Sequence, residues 1–299
     1  MAGPLRGALA ALGLLGGLSA HAQSPVWAVH GAHNTVYLAE SVHLLKAGHA
    51  DLPTPFDAAY ARARIIVMEI DLSRTDAGQI QAWMLDHGML RGTTLQQAVG
   101  ERVYARTSTE AQRLGVPIER LQPFEPWAVA LMLADLEYVK LGYDPEQGVE
   151  RQIEHRAERD MKEIRGLETV GEELGQLAQL TPAQQSRFLD LTVDDMQAAE
   201  RDTDELLSAW RAGNTRKLAS LLASEYASFP ELYRALITER NLRWLPQIEG
   251  FLHDTRDYLV VVGALHLVGR GGLLELARHA GFTVTPVLST QLGKPLLSR

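Results

Sequence analysis

The stretch YLVVVGALHLVGRGGLLELARHAGFTVTPVL (residues 258–288) decides the fold class. Its apolar run YLVVV predicts a strand buried on both faces, and Leu273 to Ala280 predicts a helix that ends at Gly281. A last strand is expected from Thr283 to Leu288. Because strand, helix and strand follow one another along the chain, the segment is typical of an α/β protein.

Other segments extend this α/β pattern. Val26 to Val42 predicts a β-hairpin, and the nearly all-apolar IIVMEI (65–70) predicts a buried strand whose single charge is Glu69. Two shorter strands are predicted at Val116 to Leu121 and at Ile164 to Leu167. Helical periodicity covers about Gln79 to Asp160, Pro182 to about Arg211, and Pro230 to His253.

The first 22 residues predict a secretory signal peptide. Arg6 is their only charge, an apolar run follows from Gly7 to Leu18, and Ala20-His21-Ala22 fits a small-x-small cleavage site. Cleavage after Ala22 would leave one mature domain (23–299) in the periplasm or outside the cell. A membrane anchor is the alternative, but the run is shorter than the ~20 residues that a bilayer requires.

Composition restricts the classes of partner and of site. The chain has no cysteine, which excludes disulfides and thiolate metal sites. Loss of Arg6 with the signal peptide leaves 28 Lys and Arg against 37 Asp and Glu. This negative charge argues against nucleic acid or an anionic membrane as the main partner. No later segment is long enough for a stable membrane span.

Two histidines and one acid stand at predicted strand ends. His266 lies in GALH, just beyond the strand YLVVV, where ligands of open α/β sheets bind, although the glycine-rich turn could be only a connection. His43 ends the second hairpin strand, and Glu69 ends a buried strand, where it needs a cation or an arginine partner. Two imidazoles and a carboxylate suit a divalent metal, but without HExxH they must be brought together by the fold.

The sequence pattern says less about three other polar residues. Glu168 in RGLET could be a carboxylate at a helix N-terminus. Arg240 and Asn241 flank the apolar stripe of a predicted helix, where a surface salt bridge and a solvated amide are the ordinary outcome. GxSxG is absent, and we expected Ser41 to point away from His43, so a serine triad has no support.

Several of these segments together resemble the TraB/GumN family, which is related to the Tiki proteases and more distantly to ChaN-like haem-binding and erythromycin-esterase-like proteins. The resemblance spans nearly the whole mature chain, and its last stretch is the most specific. The matching stretches are VWAVHGAHNTVYLAESVH (26–43), ARIIVMEIDL (63–72), RGLET (165–169), TERNLRWLPQI (238–248) and VVVGALHLVGRGGLLELARHAGFTV (260–284).

The resemblance implies a central mixed β-sheet flanked by helices with a large helical insertion. It also implies a metal-dependent hydrolytic site in which two GxxH motifs converge beside an early acid, here His43, His266 and Glu69. Glu168, Arg240 and Asn241 match further family positions; in that reading Glu69 or Glu168 would activate water and Arg240 would stabilise an oxyanion.

The first GxxH motif of this chain departs from the family pattern. It reads ESVH, so Glu40 stands where the family usually has glycine. Glu40 is therefore either a further metal ligand or a change that alters the pocket and reduces activity.

These observations lead to the hypothesis of an exported hydrolase that depends on a divalent metal such as manganese, cobalt or zinc. By resemblance it is a peptidase, although its substrate could be a peptide or a small molecule. The rival hypothesis is a non-catalytic periplasmic protein that binds haem or another small ligand through the same histidines. A third is a degenerate family member, which the change at Glu40 makes credible.

Overall fold

A computed structural model of the chain describes residues 24–71, 74 and 77–288. The predicted signal peptide (1–22) lies outside the described residues. Among the described residues, no helix combines the length and the apolar character needed to cross a bilayer.

Six strands form a mixed central sheet, which confirms the predicted α/β fold. Its spatial order is β6-β4-β7-β2-β1-β8, and a separate small sheet pairs β3 with β5. Strand β7 pairs in parallel with β2 and β4, β4 pairs in parallel with β6, and β1 is antiparallel to β2 and β8. The strands are β1 (Val26–His30), β2 (Thr35–Ser41), β3 (Leu45–Lys46), β4 (Ile65–Met68), β5 (Tyr143–Asp144), β6 (Glu163–Gly166), β7 (Tyr258–Gly263) and β8 (Thr283–Pro286).

Helices fill the connections between these strands, most densely between β6 and β7, where the helical insertion lies. The helices are α1 (Pro55–Arg62), α2 (Ala77–His87), α3 (Leu95–Arg113), α4 (Pro126–Lys140), α5 (Val149–Arg159), α6 (Val170–Ala178), α7 (Pro182–Asp195), α8 (Ala199–Arg211), α9 (Thr215–Glu225), α10 (Pro230–Tyr233), α11 (Glu239–Phe251), α12 (Ala264–Leu267) and α13 (Leu273–His279).

Some local predictions were wrong. The strand predicted at 116–121 is a 3₁₀ turn over Ile118–Arg120, which follows Pro117. The helix predicted from Pro182 to Arg211 is broken after Asp195, and α8 begins at Ala199 with Glu200 and Asp202 in its first turn, where the helix dipole favours acidic residues. The glycine-rich turn that follows Gly263 begins with the short helix α12.

The middle of the sheet is the core. Every residue of β4 is buried, and β7 is buried from Tyr258 to Val262. This explains why both strands read as nearly continuous apolar runs rather than as alternating ones.

Four parallel strands end at one edge of the sheet. Strands β2, β7, β4 and β6 are neighbours that run in the same direction. The residues that follow them are His43, His266, Glu69 and Glu168, in that order. The carboxyl edge of a parallel sheet is where α/β proteins commonly bind ligands, so the fold collects the candidate residues at such a place.

Candidate functional site

The side chains of the candidate site surround Gly263, the last residue of β7. A Cβ atom placed on it would lie 3.4 Å from Oε1 of Glu69, 3.6 Å from Cδ2 of His266 and 3.8 Å from Nε2 of His43. The fold therefore brings the two histidines and the early acid to one small space, which the missing side chain of Gly263 leaves open. Glu69 is also tied to this strand, since Oε1 accepts a hydrogen bond of 2.6 Å from the Gly263 N–H.

The orientation of His266 is set by Asn241. Nδ2 of Asn241 donates to the backbone carbonyls of His266 (3.0 Å) and Gly271 (2.9 Å), so its Oδ1 must accept. Oδ1 lies 2.8 Å from Nδ1 of His266, which fixes the proton of the neutral ring on Nδ1. The lone pair of His266 is thus on Nε2, which accepts from Nη1 of Arg240 at 3.1 Å.

His43 is held in a comparable way by Glu150, the second residue of α5. Oε1 of Glu150 lies 2.8 Å from Nδ1 of His43, and the same oxygen accepts a hydrogen bond from the Ser41 hydroxyl. The expectation that Ser41 points away from His43 was wrong, since both side chains contact the same oxygen of Glu150, and His43 lies two residues beyond the end of β2 rather than on it. With Nδ1 engaged by the carboxylate, Nε2 is the nitrogen near Gly263.

Arg240 lies among three carboxylates and is almost completely buried. Nη2 is 2.5 Å from Glu69, 2.5 Å from Glu168 and 3.4 Å from Glu173, and Nε donates to Glu168 at 2.8 Å. Nη1 of Arg240 lies within hydrogen-bond distance of Nε2 of His266 and of the backbone carbonyl of Leu236, four residues earlier in the chain. The prediction of a surface salt bridge for Arg240 and a solvated amide for Asn241 is therefore wrong, because both side chains face into the protein.

Local sequence places this arginine and its acids. A π-helical turn over Arg234–Thr238 leads into α11, and such irregular turns are frequent beside functional sites. On the other side, Thr169 caps α6 through a reciprocal capping box with Glu172. This start fixes Glu168 just before the helix and Glu173 in its first turn, so both carboxylates reach Arg240.

Neighbouring charges govern the protonation of Glu69 and His266. Burial opposes ionisation of Glu69, but positive charge outweighs it and lowers the pKa of Glu69 to about 2: that of His266, whose ring is protonated at such low pH, and those of Arg240 and His43. Burial lowers the pKa of His266 to about 3, so this ring is neutral at pH 7. The ionised carboxylate of Glu69 thus lies near a neutral imidazole whose Nε2 carries a free electron pair.

The two acids at the start of α6, Glu168 just before it and Glu173 in its first turn, differ from Glu69. Burial raises the pKa of Glu168 despite its bonds to Arg240. Burial, helped by the charge of Glu69, raises the pKa of Glu173 to about 7. Glu168 is enclosed, and its Oε2 also accepts from the Trp244 indole, whereas about a third of the Glu173 side chain is exposed. Glu173 is thus the acid of this cluster that titrates near neutral pH and reaches solvent.

Comparison with known proteins places the chain in a family. The family model described as "TraB/PrgY/gumN family" matches residues 25–286. The chain belongs to this family. It is 24% identical over 242 residues to the uncharacterized protein YbaP of Escherichia coli (strain K12), and equally to YbaP of Shigella flexneri. Each alignment covers 81% of this chain and 87% of the relative. No solved structure matches it significantly.

Within this TraB/PrgY/gumN chain, Glu40 is the candidate that the structure does not bring to the others. Its side chain is fully buried in β2, and neither carboxylate oxygen has a hydrogen-bond partner among the described residues. Burial raises the pKa of Glu40 to about 8, so the group is neutral at pH 7. A protonated acid enclosed in a sheet is a poor metal ligand.

Two residues of this family member escaped the sequence reasoning. Glu150 lies in GVE (148–150) at the start of a charged helix, and Glu173 lies in the acidic pair GEE (171–173). Glutamates are common in first helical turns, so neither pattern stands out. The only usable signal for Glu173 was its position five residues after Glu168, about one helical turn beyond a residue already selected.

Proposed function

We propose that the protein is an exported hydrolase in which a divalent metal ion, held by His43, Glu69 and His266, assists the attack of water on a peptide or a small-molecule substrate. The observation that carries the proposal is the meeting of these three side chains beside Gly263.

The donor set fits a divalent metal such as manganese, cobalt or zinc. Each imidazole has its Nδ1 engaged, by Glu150 or by Asn241, which leaves Nε2 as the nitrogen for a ligand. Metal-ligating histidines characteristically donate the N–H of their second ring nitrogen to a carboxylate or carbonyl oxygen in this way. Because Glu150 raises the pKa of His43 to about 10, His43 would release its Nε2 proton when a metal binds. Glu69 adds an ionised oxygen, and Gly263 leaves room between the donors. A metal on His266 would replace its present contact with Arg240.

A divalent cation at this place would supply Lewis acidity, which polarises a carbonyl group and makes water easier to deprotonate. The surrounding residues position the ligands. Glu150 and Asn241 orient the two imidazoles. Arg240 keeps Glu69 ionised, and its N–H groups are engaged with Glu168 and its other partners, so we assign it to positioning rather than to oxyanion binding.

Glu173 is the group that we assign to proton transfer. Its pKa of about 7 suits a group that must take up and release a proton at neutral pH. Its carboxylate belongs to the same cluster as Glu69, since oxygens of Glu69, Glu168 and Glu173 lie within 4.8 Å of one another. In this assignment Glu173 accepts a proton from water and returns it to the leaving group.

The test combines metal content with hydrolysis. We would purify the protein with manganese, cobalt or zinc present, measure bound metal by mass spectrometry, and follow cleavage of a fluorogenic peptide library with and without chelator. His43→Ala and His266→Ala should each lose metal and activity. If neither substitution changes the metal content, the proposed metal site is wrong.

Gly263→Ala offers a sharper variant, since it alters no ligand. Its methyl group would lie at ordinary contact distance from Glu69, His266 and His43 and would fill the space between them. We expect the variant to fold and to bind metal at least tenfold more weakly, about 1.4 kcal/mol. Gly250→Ala in α11, where nothing lies within 4 Å, is the matched control.

Export is tested separately. Expression of the full chain followed by sequencing of the accumulated protein should give Gln23 as the first residue, in the periplasmic or the secreted fraction. Protein that retains Met1 and stays in the cytoplasm would contradict this part of the proposal.

A further inference from the structure

Strand β6 forms one edge of the central sheet, and its outer side is unpaired in the part of the chain that the structure describes. The N–H of Leu167 donates to the carbonyl of Met68 on β4. Because N–H directions alternate along a strand, Arg165 also faces β4, whereas the N–H and C=O of Ile164 face outward. These outward groups are the pattern to which another extended chain can bond.

A groove runs along this open edge. It has a volume of about 1350 Å³ and is lined by every residue of β6 and by Trp83 of α2. Met161, which precedes β6 in the chain, and Glu168, which follows it, also line the groove, and Glu168 bonds to Arg240. The groove therefore leads along β6 to the cluster described above.

The two edges of the sheet differ. The other edge strand, β8, ends in Pro286, which lacks an N–H and discourages pairing with a further strand. Strand β6 contains no proline. At its start, Met161 has a left-handed backbone (φ 52°) and a side chain that is 91% exposed, which presents an apolar surface to the groove.

Charges along the groove are largely neutralised by each other. Arg165 bonds to Glu163, and Lys162 donates to two backbone carbonyls of the α1 region. Glu172 is engaged by Thr169 at the start of α6. Asp71, Arg74 and Glu158 also line the groove, so side chains of both charge signs stand beside the strand backbone. The open backbone matches an extended peptide segment, and the mixed charges set no single sign for its side chains.

We propose that an extended peptide binds in this groove as an additional strand on β6, with its backbone bonded to Ile164 and one end directed to Glu168. The consequence for catalysis rests on the proposed hydrolase function, whereas the binding itself does not. Backbone pairing would make the site tolerant of sequence.

The test uses fluorescein-labelled casein, an extended polypeptide, and the full-length protein. Ile164→Pro removes the outward N–H of Ile164 but keeps the bonds to β4, because edge strands tolerate proline where the N–H faces outward. Ile164→Ala removes the side chain and keeps the N–H, so it is the matched control. We expect the Kd from fluorescence anisotropy to rise about tenfold in Ile164→Pro and by less in Ile164→Ala.

Hydrogen exchange provides a measurement that needs no variant. If casein pairs with β6, the amide of Ile164 in the wild-type protein should exchange at least tenfold more slowly when casein is added. Unchanged exchange there, no binding by the wild type, or equal binding by Ile164→Pro would each overturn the proposal.

Parallel assays separate this proposal from the hydrolase function. His43→Ala should bind casein as the wild type does while losing cleavage. Casein bound at β6 but cleaved by no form of the protein would support the groove and contradict a peptidase function. Cleavage by the wild type and by Ile164→Pro at equal rates would support the hydrolase and overturn the groove.

Discussion

Oε1 of Glu150 lies 2.8 Å from Nδ1 of His43, on the ring nitrogen opposite to the one that approaches Gly263. The carboxylate thereby sets which nitrogen of His43 is available, and its charge raises the pKa of His43 to about 10. Because this pKa lies above the unfolded value of 6.5, the pair stabilises the fold fully below pH 6.5 as long as Glu150 stays ionised. This stabilisation is lost as the pH rises through about 10.

Glu150→Gln should lower the pKa of His43 towards 6.5 in the metal-free protein, because the neutral amide no longer favours the imidazolium. NMR titration of the His43 ring measures this directly. Ser41→Ala is the control, since it removes the other partner of the carboxylate and leaves its charge. Under the metal proposal, Glu150→Ala should also weaken metal binding about 10–100-fold. An unchanged pKa in Glu150→Gln would show that Glu150 does not control this ring.

Substitutions of Asn241 should separate stability from ligand orientation. Asn241→Leu leaves two carbonyls and the Nδ1–H of His266 without partners, and each buried unsatisfied group costs about 1–3 kcal/mol. Asn241→Asp keeps an acceptor for His266 and loses only the two donors. We expect both variants to unfold at lower denaturant concentration and only Asn241→Leu to lose metal affinity. Equal metal affinity in the two would contradict the orienting role.

Arg240→Met should destabilise the protein by about 3–5 kcal/mol at pH 7, because Glu69 and Glu168 would remain buried without their cation. Without the guanidinium, the pKa values of the two carboxylates would be raised. The difference in the free energy of unfolding between variant and wild type should therefore shrink as the pH falls and these groups become protonated. Denaturant unfolding between pH 4 and pH 8 measures this trend. Arg243→Met, which removes only a partly exposed contact to Glu168, is the milder control.

Arg240→Met also tests the carboxylate cluster itself. Oxygens of Glu69, Glu168 and Glu173 lie within 4.8 Å of one another, so a divalent cation could replace the lost guanidinium. We expect manganese to raise the Tm of Arg240→Met more than that of the wild type. A Tm that does not respond to manganese would show that the cluster is built for arginine alone.

Glu40→Gln should stabilise the protein at alkaline pH. Burial raises the pKa of Glu40 from 4.5 to about 8, so the fold benefits from the protonated acid below pH 4.5 and progressively loses that benefit as the pH rises through about 8. Since each pKa unit corresponds to about 1.4 kcal/mol, Glu40→Gln should be more stable than the wild type by a few kcal/mol at pH 9 and similar at pH 4. If the free energies of unfolding of the two proteins changed with pH in parallel, Glu40 would not be a buried acid that is protonated at pH 7.

Glu173→Gln tests proton transfer. If Glu173 acts as the base, kcat should rise with pH through about 7 as the carboxyl ionises, and the substitution should remove this limb and lower kcat about 10²–10⁴-fold. Glu172→Gln is a close control, because glutamine can keep the capping bond to Thr169. Loss of activity with an unchanged pH profile would assign Glu173 a structural role instead.

Local patterns predicted much of the fold and only part of the site. The hairpin, the strands around Ile66 and Val260 and the helix after Gly272 were predicted correctly, because burial on both faces produces apolar runs that show in the sequence. The strand predicted after Val116 was wrong, since a six-residue apolar pattern does not distinguish a strand from a 3₁₀ turn. Glu150 and Glu173 carry no local signal, because their roles come from partners distant in the chain.

By itself, the sequence determined the α/β class, the family, and which histidines and acids closely follow strands, since these follow from periodicity and from motifs of neighbouring residues. Only the tertiary structure decided that Arg240 and Asn241 face inward and that Glu40 stays apart from the other candidates. The reason is physical: hydrogen bonds and charge interactions depend on distances of a few ångströms. Those distances are fixed when strands far apart in the chain become neighbours in one sheet.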